Sequence, residues 1–193
     1  MKMKLLKFMS AGLAMTMLAG CIVLSVYPFY TDKDLVSDPG VAGSWIEGGN
    51  TNSLWQFTAS GEKSYLLTTA DSSSTNYFTA HLFQLKQYQF LDLLTTNRDE
   101  FELPLHLISE VSHTGTNLSL HFLDYGWLAG LLETNPAALR HIVVPQQPDD
   151  TNSDKMVYLT ADTKDLQKFL LKYVGNTNAF TSDSTKELTR VAQ

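Results

Sequence analysis

Leu54-Trp55-Gln56-Phe57-Thr58, Ser64-Tyr65-Leu66-Leu67-Thr68-Thr69 and Tyr77-Phe78-Thr79-Ala80-His81-Leu82-Phe83 follow one another, joined by short turn-forming links. In each run apolar side chains recur at every second position: Trp55 and Phe57, Tyr65 and Leu67, then Phe78, Ala80 and Leu82. Period two places them on one face of an extended strand. Ser60-Gly61 and Asp71 to Asn76 have hairpin composition, so the three strands are predicted to be antiparallel neighbours. Short apolar runs recur in both directions at roughly ten-residue spacing with turn residues between them, and Leu105/Leu107 and Leu118/Leu120/Phe122 alternate in the same way. Val41 to Glu47 precedes them, after the Pro39-Gly40 turn signal; Tyr88 to Leu93, Leu105 to Val111 and Leu118 to Leu123 follow, separated by turns such as Lys86-Gln87 and Thr114-Gly115-Thr116. Consecutive hairpins of this kind curl into a meander or close into a barrel, because twist and exposed edges both favour closure.

Beyond Leu123 the period changes. Trp127, Leu128, Leu131 and Leu132 form a helical stripe in Tyr125 to Thr134, which Pro136 ends and Asp124 is placed to cap. Strands are predicted at His141 to Val144 and Met156 to Thr160, around a Pro- and Asp-rich loop from Pro145 to Asp154. Asp162 then has N-cap chemistry for a helix from Thr163 to Val174, with Leu166, Phe169, Leu170 and Tyr173 on one face and Gly175 as the stop. A further helical turn is expected near Ser184 to Val191. The expected class is α+β: an antiparallel meander or a lipocalin-like barrel with two or three short helices in the C-terminal half.

The amino terminus reads differently. Lys2, Lys4 and Lys7 precede an uncharged, mostly apolar stretch that reaches Leu18-Ala19-Gly20-Cys21, the order of a secretory signal. These residues resemble the lipobox of bacterial lipoprotein precursors, in which small residues stand just before an invariant cysteine. The resemblance implies that residues 1–20 are cleaved, that Cys21 carries a diacylglyceryl thioether and that its new amino group is acylated. Two or three acyl chains hold a protein on a membrane where one does so only marginally. Ile22 is not the aspartate that marks inner-membrane retention in enteric-type lipoproteins, so the resemblance implies the outer membrane, facing the periplasm. The alternative stays open that the 22 uncharged residues from Phe8 to Phe29 form an uncleaved span. Residues 21–38 are read as a lipidated tether, in which the apolar run from Ile22 to Tyr30 packs on the domain or meets the lipid interface. Residues 39–193 are read as the β-rich domain.

Charge and composition narrow the function. The chain carries 14 Lys and Arg against 20 Asp and Glu, a net charge of −6, and −9 once the three lysines of the signal are removed. Such acidity opposes nucleic-acid binding and gives no basic handle on anionic lipid. One cysteine excludes an internal disulfide and a thiolate metal cage. His-Glu-x-x-His, Gly-x-Ser-x-Gly, a glycine-rich phosphate loop and Cys-x-x-Cys are all missing from the sequence. His106 and His121 flank the Thr114-Gly115 turn at similar distances, so they could meet across a hairpin near Glu110 as weak candidates for a divalent metal site. No cofactor is otherwise expected. Asp99, Glu100 and Glu102 read as a solvated acidic run; Asp92 and Asp124, each after an apolar pair, read as acceptors of backbone hydrogen bonds in a turn or a helix cap.

Gly43-Ser44-Trp45 resembles the Gly-x-Trp that opens the barrel of lipocalins. That resemblance implies a Trp45 plugging the closed end beneath a late arginine, for which Arg190 is the available residue after Arg140. The chain departs from lipocalins in its helix between late strands and its lack of paired cysteines. Tyr27 to Thr31, Trp55-Gln56-Phe57, Phe90-Leu91-Asp92-Leu93 and Leu159-Thr160-Ala161 also resemble a family of bacterial envelope lipoproteins, which implies no activity. Two classes of function remain. One is a binding or structural module of the envelope, taking an apolar small molecule in the barrel or an envelope protein. The other is an envelope hydrolase whose site is assembled from His106, His121 and Asp124. A filled interior favours the partner-binding module; an open apolar cavity of a few hundred Å³ favours a ligand.

Overall fold

The computed structural model describes residues 22–96, 103–145 and 155–192. Its strands are β1 (Leu24–Ser25), β2 (Gly43–Glu47), β3 (Asn50–Ala59), β4 (Tyr65–Ala70), β5 (Thr75–Leu85), β6 (Tyr88–Thr95), β7 (His106–Thr114), β8 (Asn117–Phe122), β9 (His141–Pro145), β10 (Lys155–Leu159) and β11 (Thr185–Arg190). Its α-helices are α1 (Tyr125–Thr134) and α2 (Thr163–Tyr173). Every expected strand is present. β3 starts earlier than its apolar run because Gly48 and Gly49, at φ +55° and +75°, turn the chain back immediately after β2.

β2 through β8 pair in chain order, and β11 lies between β8 and β2. Eight antiparallel strands therefore close into a barrel, resolving the choice between meander and barrel that the sequence leaves open. The tail is a correction. Only Ser182–Ser184 makes a 3₁₀ turn, and the residues expected to be helical continue as β11, the strand that closes the barrel. Leu188 alone of its residues is buried, too faint a period to mark a strand. β1, β10 and β9 form a flap that leaves the barrel beside β7.

There are two cores. Trp45, Phe57, Leu67, Leu82, Leu118 and Leu120 fill the barrel. Phe29, Phe83, Phe90, Ile108, Leu166 and Phe169 pack on its outer wall, beneath α1 and α2. β6 sits between both, which is why Phe90, Leu91, Asp92 and Leu93 are all buried and no alternation marks that strand. Both helix starts are as read: the Asp124 carboxylate accepts from Trp127 N at 2.7 Å and that of Asp162 from Asp165 N at 3.0 Å.

The stretch after Ile22 is built into this wall. Val23 and Phe29 are core residues, Leu35 bridges to Phe83 on β5, and α2 holds the segment from above. Thr163 donates its hydroxyl to Pro28 O at 2.8 Å, and Gln167 donates its amide to Phe29 O at 3.1 Å.

Candidate functional site

One end of the barrel is sealed by Trp45, which has no exposed surface and donates its indole N–H to Val41 O at 3.0 Å. Arg190 pairs with Trp45 across β11 and β2 and lies over its ring, with Cζ 4.3 Å from the centroid. Its guanidinium also donates to the carbonyls of Ala42 and Gly40. Gly43 has a physical reason: its φ is +139°, and a Cβ there would run into the Arg190 guanidinium. His113 meets Trp45 edge-on at 5.9 Å and is joined to Asp38 at 3.0 Å.

The other end is a mouth. Its floor is Trp55, Phe78, Leu93, Leu107 and Phe122, and its rim includes Glu47, Asp71, Asn76 and Lys186. Lys186 pairs with Glu47 at 2.7 Å, and Ser53 donates to the same carboxylate at 3.3 Å. Asp71 accepts from the backbone and hydroxyls of Ser73 and Ser74, and hydrogen bonds from Ser73 foremost hold its carboxyl down at about 2. Above the floor lies only about 60 Å³ of cavity, room for a few waters, whereas pockets for small organic ligands run to several hundred Å³. Trp45, Trp55, Phe57, Tyr65 and Phe78 are each at most 9% exposed. The interior is filled.

A polar cluster sits on the outer wall, under the N-terminal segment. Asp92 is wholly buried in the middle of β6, not at a strand end, and its carboxylate accepts from Phe29 N at 3.0 Å and lies 2.7 Å from His106 Nδ1. It does receive a backbone N–H, from a residue 63 positions away. His81 pairs with Asp92 across β5 and β6, and its Nδ1 is 3.2 Å from the Tyr30 hydroxyl. Burial, with Asp92 and Asp32 nearby, pushes the Tyr30 hydroxyl up to about 12. Burial also lowers His81, against the pull of Asp92 and with the push of His106.

Comparison with protein families, curated proteins and solved structures gives no match. Residue roles therefore rest on geometry alone. His106 and His121 do not meet across the hairpin: the register puts His121 opposite Glu110, four residues along β7 from His106, about 13 Å at strand rise. His121 bonds to Thr185 at 2.7 Å, and burial raises Glu110. Asp124 caps α1, and the separation of His106 from His121 along the sheet keeps His106, His121 and Asp124 from forming one compact set. Among the described residues no group of three or more His, Cys, Asp or Glu is placed to hold a metal ion, and no helix is long and apolar enough to cross a membrane. Cys21, Asp99, Glu100 and Glu102 lie outside the described residues. The Asp92 cluster escaped the sequence reading, although one signal was there: a lone carboxylate inside the apolar run from Phe90 to Leu94.

Proposed function

We propose that this chain is a lipid-anchored bacterial envelope protein whose lipocalin-like barrel serves as a structural or partner-binding module, not as a carrier of an apolar small molecule. The observation that carries this reading is the filled interior: with about 60 Å³ open at the mouth, a lipid-sized guest has nowhere to sit. The sealed end supports the lipocalin comparison through Gly43, Trp45 and Arg190. The lipobox at Leu18 to Cys21 supports the anchor, and Ile22 supports an outer-membrane, periplasm-facing location. An envelope protein is the partner class proposed, with the polar rim around Glu47 and Lys186 as its contact; the acidic chain argues against nucleic acid.

Metabolic labelling with a palmitate analogue tests the anchor. Wild type should incorporate label and fractionate with outer membranes, while Cys21→Ser should remain an unlabelled, uncleaved precursor. Label persisting in Cys21→Ser removes the basis for the anchor. Titration with a fluorescent fatty acid tests the filled barrel, for which no saturable binding is expected; one-to-one binding lost on Phe78→Trp would make the mouth a ligand entrance instead.

A further inference from the structure

The geometry points to a lipid-docking face on the flap: Ile22, Met156, Tyr158, Ile142 and Val144 rest on the bilayer that holds the anchor. This rests on the proposed acylation of Cys21. Register defines the face. Met156 pairs with Val144 and Tyr158 with Ile142, and directly paired residues project to the same side of a sheet. Leu24, the β1 partner of Tyr158, belongs to the inner core, and Ile22, Met156 and Tyr158 pack against it. The intervening Val157 and Leu159 belong to the outer core on the opposite side. One side of the flap thus continues the inward-facing surface of the barrel past its mouth. There it ends in exposed side chains, Ile142 at 51% and Val144 at 42%; Val143, facing the other side of the same strand, is exposed at 48%, so what sets this face apart is its continuity with the inner core and not its exposure. Among the described residues β9 is also an edge strand, pairing with β10 alone, and an apolar edge is a liability unless something covers it.

The start of the chain says what covers it. Only Ile22 and Val23 separate Cys21 from β1, so at about 3.5 Å per residue β1 begins within roughly 10 Å of the acylated residue. β9 lies two strand spacings further, about 10 Å. Parallel pairing of Leu24 with Tyr158 sets the anchored end of β1 toward Met156, hence toward Val144. Acyl chains at Cys21 therefore bring this apolar corner to the lipid headgroups without any free linker. Burial of such side chains at the acyl boundary is favourable in proportion to their apolar area.

The test uses the mature lipidated protein in phosphatidylethanolamine and phosphatidylglycerol vesicles. Cys21 is the one cysteine of the sequence and its sulfur is consumed in the thioether, so Ile142→Cys, Val143→Cys and Val144→Cys each offer one thiol for an environment-sensitive fluorophore. Positions 142 and 144 should emit to the blue and lose emission to lipid carrying a doxyl group on its acyl chain. Position 143, on the other side of the strand, should do neither. Equal behaviour at all three, with the protein still floating with the vesicles, overturns the docking and leaves the anchor standing. Blue-shifted emission at 142 and 144 in detergent, with cross-links between copies, also overturns it, because a second chain then covers the edge. Failure of the wild type to take palmitate label overturns the anchor and the docking together.

Discussion

Arg190 does three things at once: it stacks on Trp45, donates to two carbonyls and occupies the space that a side chain on residue 43 would need. Arg190→Ala should cost about 2 kcal/mol through the lost cation–π contact and stranded carbonyls. Gly43→Ala should cost about 1–3 kcal/mol through strain at its left-handed φ. Urea midpoints of the two variants check both, and iodide should barely quench a protein retaining Trp45 as its single tryptophan. Asp92 is the other decisive residue. Asp92→Ala strands Phe29 N–H and His106 in the core, a loss of about 3–5 kcal/mol by the same measurement. Because burial lowers His81, the folded protein binds fewer protons there than the unfolded one. The stability tied to it is complete above the ordinary histidine pKa and falls away as pH drops through the depressed value. The midpoint should therefore fall between about pH 7.5 and pH 5, and less steeply in His81→Gln.

At the scale of elements, α2 shows how a stripe becomes a core. Phe169 is 4% exposed and packs against Trp127 and Tyr173 at 6.1 and 4.8 Å between ring centroids. Phe169→Ala should cost about 3 kcal/mol. Its neighbour Lys168 is on the open face, paired with Asp165 at 2.7 Å, and Lys168→Ala should cost under about 0.5 kcal/mol. Equal unfolding midpoints for the two would invert the assignment of the buried face. β6 is the complementary case, a strand buried on both sides because the barrel lies on one face and α2 with the N-terminal segment on the other.

For the whole molecule, closure depends on the end of the chain. β11 pairs with β8 over Thr185 to Thr189 and with β2 over Leu188 to Arg190. A chain ending at Ser184 would expose both neighbouring edges and uncover Trp45. It should lose the cooperative urea transition and the near-ultraviolet dichroism of the native barrel; retention of both would mean that the barrel closes without its eighth strand. The filled interior belongs to this scale too, since it arises from residues on all eight barrel strands meeting around one axis.

The sequence by itself determined the local elements. Apolar runs between turn signals located the strands from β2 to β8, with period two plain in β3, β4, β5, β7 and β8; the stripe of Leu166, Phe169 and Leu170 located α2, and Asp124 and Asp162 marked the two helix starts. Each depends on sterics and hydrogen bonds within a few residues, which a sequence records directly. The pairing of Arg190 with Trp45 was also legible, through the resemblance that Gly43-Ser44-Trp45 carries. Only the tertiary structure decided the rest. Thr185 to Arg190 becomes a strand because β2 and β8 each present an open edge, although its own residues are mostly polar. His106 finds Asp92 and not His121 because the turn at Gly115 sets the hairpin register, while β6 lies on the other side of β7. The mouth, the filled interior and the uncovered corner of β9 likewise come from contacts between residues far apart in the chain, where burial and free edges choose partners that local periodicity does not specify.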